Sequence, residues 1–177
     1  MRTFTSTALA TTLALALAAC ASSPELDAAR ARDRLVAAQL TTFDDLDFRV
    51  FSQQQWQDLH KSHAQDVIVH WPDGHTTTGL DVHLADLKAM FVYAPDTRIE
   101  THPIKLGNGE WTAVTGVMKG TFSQPMPLPG GGSIPPTGKS FELTMATIGH
   151  WGPDGAMTEE YLFWDNATFM KQLGLAP

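Results

Sequence analysis

Residues 139–165 read KSFELTMATIGHWGPDGAMTEEYLFWD, two strand-like runs, 139 to 151 and 156 to 165, on either side of Gly152-Pro153-Asp154-Gly155. Phe141, Leu143 and Met145 alternate with Glu142 and Thr144 at the period of two that a half-buried strand requires, and Pro-Asp-Gly supplies turn chemistry. This is a β-hairpin. Immediately upstream, runs 97 to 106 and 110 to 122 flank a second turn, Gly107-Asn108-Gly109, so the hairpin extends into an antiparallel meander.

Before the meander the period changes to that of helices. Ser52 with Gln55 three residues later suits a capping box, after which Trp56, Leu59, His60 and His63 form one stripe. Val67 to Trp71 reads as a strand closed by Pro72-Asp73-Gly74. Asp81 can cap a helix whose face carries Leu84, Leu87, Phe91 and Ala94, with Pro95 as its stop. Glu25 to Leu40 predicts a further helix burying Leu35, Val36 and Leu40, and Asn166 to Leu173 a last one ended by Gly174. Ser123 to Ser133, with three prolines and three consecutive glycines, reads as a gate-like loop at the sheet edge. Helices first and a meander afterwards predict an α+β domain: a strongly curved antiparallel sheet covered by N-terminal helices, a cone with an internal pocket.

The N-terminus reads separately from this domain. Arg2, the apolar Ala8–Ala19 run and Leu17-Ala18-Ala19-Cys20 have the layout of a secretory signal ending at a lipobox-like cysteine. The expected organisation is therefore a signal over 1–19, a lipid-anchored tether with a helix over 20–40, and the folded domain over 41–177. Cys20 is the lipidation candidate, and the expected location is the periplasmic face of the outer membrane. As the only cysteine, it leaves the exported domain without disulfide or thiol chemistry. Removing Arg2 with the signal leaves 11 basic against 19 acidic residues, about −8, a balance that argues against nucleic acid as partner.

Pairing Trp151 with Ala156 across the turn would set Asp165 opposite Glu142, and alternation would then divide the hairpin into two faces. One carries His150, Tyr161, Phe163 and Asp165. The other carries Phe141, Leu143, Met145, Leu162 and Trp164. The first mixes polar and apolar groups as a ligand cavity does and is expected to line the pocket; the second is expected to serve packing or homodimerisation. His150 and Asp165 would lie about 25 Å apart at strand spacing, too far for a dyad. His63 and His70 are candidate cavity polar groups, while His83 and His102 read as surface residues. No histidine spacing matches a metal signature, so no metal is expected.

Ala94-Pro95-Asp96, Ile134-Pro135-Pro136-Thr137-Gly138-Lys139, Glu159-Glu160-Tyr161 and Gln172-Leu173-Gly174 occur in an order that resembles the SnoaL-like polyketide cyclases, from Asp44 to the C-terminus. The resemblance implies the cone fold, a small apolar or carbonyl-containing ligand, and aldol-type or isomerase chemistry without metal or organic cofactor. Asp165 matches the family's acid/base position. Tyr161 stands where the family has a tryptophan. The alternatives are a non-catalytic binding module and a scaffold lipoprotein.

Overall fold

The computed structural model describes residues 23–177; the signal segment and Cys20 lie outside the described residues. Helix α1, Pro24–Asp45, opens on Ser23, whose Oγ accepts from the Leu26 amide at 3.2 Å, with Pro24, Glu25 and Asp27 in a first turn suited to the helix dipole. Its first three turns are mostly solvent-exposed, Leu35 included at 42 %, and burial starts at Gln39 and Phe43. The expected inward stripe of Leu35, Val36 and Leu40 is thus displaced toward the C-terminal half. The helix passes through residue 40 without a break because Phe43, fully buried and edge-on to Trp151 at 5.4 Å, fixes its far end in the core.

A helix starting at Ser52 does not form. Leu46–Phe51 is π-helical, with amides of Ser52 and Gln55 bonding carbonyls five residues back at Asp47 and Val50. That wider turn directs Leu46, Asp47, Val50 and Phe51 inward together. The Ser52 hydroxyl is occupied elsewhere, accepting from the Ile99 amide at 2.8 Å. A short 3-10 turn, Trp56–Lys61, follows and leads into strand β1, His63–His70. His63 is therefore a strand residue and no longer shares a helix face with His60.

Strand β2 is Thr76–Thr78, and helix α2 is Leu80–Tyr93, entered through Gly79 at φ 102°, a conformation only glycine adopts readily. Asp81 lies within the first helical turn and does not cap it. The expected strand 97 to 106 is split into β3, Arg98–Ile99, and β4, Lys105–Asn108, both pairing with β5, Trp111–Thr121. Short strands β6, Met126–Pro127, and β7, Ser133–Ile134, pair across the glycine-rich turn. Strands β8, Ser140–Trp151, and β9, Met157–Trp164, precede helix α3, Asn166–Leu173, which ends at Gly174 with φ 75°.

The sheet order is β2-β1-β9-β8-β5-β3, with β4 also on β5, and the sheet is curved but unclosed. It is a meander except at one place: β1 lies parallel to β9, pairing His70 with Tyr161. Parallel pairing needs a long crossover, which here spans the whole middle of the chain.

The hairpin register differs from the expected one. Trp151 pairs with Met157, and beyond a bulge His150 pairs with Glu159 and Met145 with Trp164, so Asp165 falls beside Thr144 rather than Glu142. The division into two faces survives, because a shift by two preserves alternation. Which face is inside is reversed. Phe141, Leu143, Met145, Thr147, Trp151, Glu160 and Leu162 are buried, whereas His150, Tyr161, Phe163 and Asp165 face outward. The face expected to serve dimerisation is the concave core face, covered by the π-helical turn, α2 and α3. Phe169 of α3 sets its ring 5.0 Å from Phe141, and burying a side chain of that size stabilises the fold by about 1.5–3 kcal/mol.

Candidate active site

Three buried polar side chains meet inside the cone, each delivered by a different element. His63 is the first residue of β1, His83 lies on the inner side of α2 one turn after Leu80, and Glu160 points inward from β9 between Glu159 and Tyr161, which point out. Their exposures are 2 %, 2 % and 4 %. Glu160 Oε2 lies 3.7 Å from His63 Nε2 and 3.4 Å from His83 Nε2, and the imidazole centroids are 4.9 Å apart. Neither Glu160 Oε2 nor His63 Nε2 has a hydrogen-bond partner.

The tautomer of His63 follows from its neighbour. Ser62 Oγ donates to the Leu59 carbonyl at 3.1 Å and lies 2.9 Å from His63 Nδ1. With its single hydrogen committed to Leu59, the hydroxyl accepts from Nδ1–H. In the uncharged ring Nε2 then carries the lone pair. Nε2 and Glu160 Oε2 face each other in the interior, 3.7 Å apart.

Burial pushes His83 down to about 4, so its ring is uncharged at neutral pH.

These groups line a cavity of about 60 Å³, room for a few waters or a compound of a handful of heavy atoms. Its walls are largely apolar, with Phe51, Trp71, Met90, Met145, Leu162 and Trp164 among them. Asp86, one turn after His83 on α2, presents a buried Oδ2 without a partner, and burial raises its pKa. No lysine or arginine lines this cavity among the described residues.

Asp47 also reaches the wall, but His102 holds it. His102 sits between two carboxylates, Nδ1 to Asp44 Oδ1 and Nε2 to Asp47 Oδ2, both at 2.8 Å, while Lys105 Nζ bonds Asp44 Oδ2 at 2.8 Å. Burial alone would lower the pKa of His102; the bonds and charges of Asp47 and Asp44 raise it overall. Burial raises Asp47 in spite of that contact. His83 and His102, read from sequence as surface residues, are both buried, with side-chain exposures of 2 % and 1 %.

Of the sequence candidates, only His63 reaches the cavity. His70 and Tyr161 stack at 4.1 Å on the outer face, and both bond Glu159 Oε1 at 2.8 Å. His150 stacks on Trp111 at 4.4 Å, and Phe163 is 50 % exposed. Asp165 is the N-cap of α3: its Oδ1 accepts from the amides of Ala167 and Thr168, and its Oδ2 accepts from Thr168 Oγ1 at 2.6 Å. The Thr168 side chain, followed by the backbone amides, lowers its pKa. The neighbouring Asn166 Oδ1 accepts from Trp164 Nε1 at 2.7 Å. Asp165 thus lies outside the cavity, across the sheet from Glu160. Sequence signals for the missed residues did exist: His83 continues the stripe of Leu80, Leu87 and Phe91, and Glu160 shares strand parity with Leu162 and Trp164.

An open, curved sheet roofed by helices around a mostly apolar cavity with a few convergent polar groups defines a cone-shaped α+β domain, the fold of NTF2-like and ketosteroid-isomerase-like proteins. The chain belongs to the SnoaL-like polyketide cyclase family, whose profile matches residues 34–173. Among solved structures it is similar to wild-type IdmH from Streptomyces antibioticus, a candidate polyketide cyclase, at 26 % identity over 77 % of this chain and 98 % of that one, with a TM-score of 0.64. A candidate SnoaL-like cyclase from a Jannaschia species shares 17 % identity over 80 % and 94 % of the two chains at a TM-score of 0.68. A ketosteroid-isomerase-like protein from Catenulispora acidiphila, solved in complex with trimethylamine, shares 15 % over 78 % and 93 % at 0.59. No curated protein matches the sequence.

Proposed function

We propose that this domain binds a small, uncharged, carbonyl-bearing molecule in the cone and catalyses proton transfer on it, with Glu160 and His63 as the proton-accepting pair. The observation that carries this reading is the buried juxtaposition of Glu160 Oε2 and His63 Nε2, 3.7 Å apart and neither within hydrogen-bond distance of another protein group. A proton taken from the carbon next to a carbonyl has two acceptors waiting, and the aromatic walls hold the rest of the ligand. The lack of a lysine or arginine at the wall disfavours an anionic ligand, and Asp86 Oδ2 offers an acceptor to a ligand hydroxyl.

The test uses small cyclic ketones in D₂O, with binding followed by tryptophan fluorescence and exchange of the α-hydrogens by NMR. Exchange should fall about 100-fold in Glu160→Gln while binding persists. Ketones that bind but exchange equally fast with wild type and Glu160→Gln would refute the assignment.

The same proposal places the domain on the envelope through a lipid at Cys20, supported by Leu17-Ala18-Ala19-Cys20 following an apolar run. Acyl chains on one residue would hold it there at about 0.8 kcal/mol per buried methylene.

A further inference from the structure

We propose that His63, His83 and Glu160 also form a binding site for a single divalent transition-metal ion of the Zn²⁺ or Co²⁺ type, a use of these side chains that goes beyond the proton transfer above. One ligand atom from each residue lies within 4.8 Å of the other two. The separations of Glu160 Oε2 from the histidine nitrogens, 3.4 and 3.7 Å, are close to the edge of about 3.4–3.6 Å spanned by two ligands each about 2.1 Å from a tetrahedral or trigonal ion. Little side-chain movement is needed to bind it.

The ligand chemistry agrees with the geometry. Two imidazoles and one carboxylate suit a borderline cation and not Mg²⁺ or Ca²⁺, which require oxygen ligands. Buried acceptors that face one another without an intervening donor are costly, and a cation between them satisfies both at once. The Ser62 hydroxyl that takes Nδ1–H leaves Nε2 of His63 as the ligating atom and fixes the ring, the kind of supporting contact common at metal-bound histidines. Asp47, nearby on the wall, is not among the mutually close ligand atoms, and its Oδ2 is bonded to His102. The remaining coordination position faces the cavity, so the ion would keep an exchangeable site for water or a ligand oxygen. With metal bound, Glu160 is a ligand and no longer a base.

The sequence hides the site. Its three members come from a strand, a helix and a distant strand, with none of the short spacings of metal motifs.

The experiment titrates the EDTA-stripped full chain with Zn²⁺ by calorimetry and with Co²⁺ by visible absorption, without any ketone present. One equivalent should bind with micromolar or tighter Kd, the Co²⁺ spectrum should lack thiolate charge transfer, and saturation should raise Tm. Glu160→Gln and His83→Ala should each weaken binding at least 100-fold, and His60→Ala, on an exposed residue, should not change it. Saturable binding that is undiminished in Glu160→Gln, or no binding up to millimolar metal, would overturn the site. If those variants do not fold, the ¹⁵N resonances of the wild-type histidines decide: shifts at His63 and His83 with one equivalent of Zn²⁺ support it, and unmoved resonances refute it. Because these readouts involve no turnover, a negative result leaves the proton-transfer proposal standing, and absence of ketone exchange leaves the metal result standing.

Discussion

Glu159 and Glu160 are chain neighbours whose carboxylates lie on opposite sides of one sheet: the first bonds His70 and Tyr161 on the outer surface, and the second is buried between His63 and His83. Strand alternation alone separates them. The pair therefore supplies an internal control. Glu160→Gln should lower ketone exchange about 100-fold, whereas Glu159→Gln should leave it within about twofold, the scale of change expected of a surface contact. Equal loss in both variants, measured by NMR exchange, would show that the inner and outer clusters act as one unit.

How much of this could be read in advance depends on which residue is considered. The strands, the turns at 107–109 and 152–155, and α3 with Gly174 follow from local chemistry, and the family resemblance gave the cone. The face assignment followed from composition, which misled: His150, Tyr161 and Asp165 look like cavity groups, yet aromatic stacking and capping settle them on the surface. Residues such as Phe141 and Met145 look like plain packing, yet they share their face with Glu160. What is inside a curved sheet depends on where the helices dock, and that docking rests on the π-helical turn at Leu46–Phe51, for which the sequence carries no simple periodic signal.

Asp165→Ala should lower Tm measurably, since Asp165 satisfies the first free amides of α3, and Asp165→Asn should lower it much less because asparagine caps nearly as well. Neither variant should slow ketone exchange. A large loss of exchange in Asp165→Asn at unchanged Tm would restore Asp165 as the reacting carboxylate.

His102 should give the fold a pH dependence of defined sign. Its folded-state pKa lies above the ordinary value, so its stabilising contribution is complete below about pH 6.5 and is lost as pH rises through the folded value. Asp47, raised by burial, acts in the same direction. At Asp44 the effect of burial is outweighed by Lys105 and His102, which lower its pKa on balance; it contributes above the ordinary aspartate range and loses that contribution only as pH falls. Urea unfolding at several pH values should show stability declining above about pH 6.5. His102→Gln should flatten that decline and cost about 1–3 kcal/mol below it, the range for leaving a buried carboxylate without its partner. An unaltered slope in the variant would assign the dependence to another group.

Gly149→Ala tests the packing behind the site. A Cβ at Gly149 would approach Met157 Sδ to 2.6 Å and a Phe43 ring carbon to 3.1 Å, and both residues are fully buried. The expected cost is about 1–3 kcal/mol by denaturant unfolding. Unchanged stability would mean that Met157 has room to move aside.

Palmitate labelling of the chain expressed in a bacterial host should be lost in Cys20→Ser, and the variant should leave the membrane fraction. The substitution removes the sulfur on which a thioether-linked lipid is built, so label that persists would locate acylation at some other residue and overturn the anchor.

The parallel pairing of β1 with β9 has a consequence for biosynthesis. His63 and His83 are made early, and Glu160 is added only when the final strand is synthesised. During elongation, a nascent chain would display two imidazoles on an incomplete sheet with an open edge beside β1. That edge is closed, and the carboxylate delivered, only once β9 is in place, immediately ahead of α3, whose Phe169 packs on Phe141. Premature termination anywhere before β9 would therefore leave a chain that can collapse but lacks Glu160, the carboxylate of the proposed proton-accepting pair and of the proposed metal site. Completion of the fold and assembly of the His63–His83–Glu160 cluster coincide.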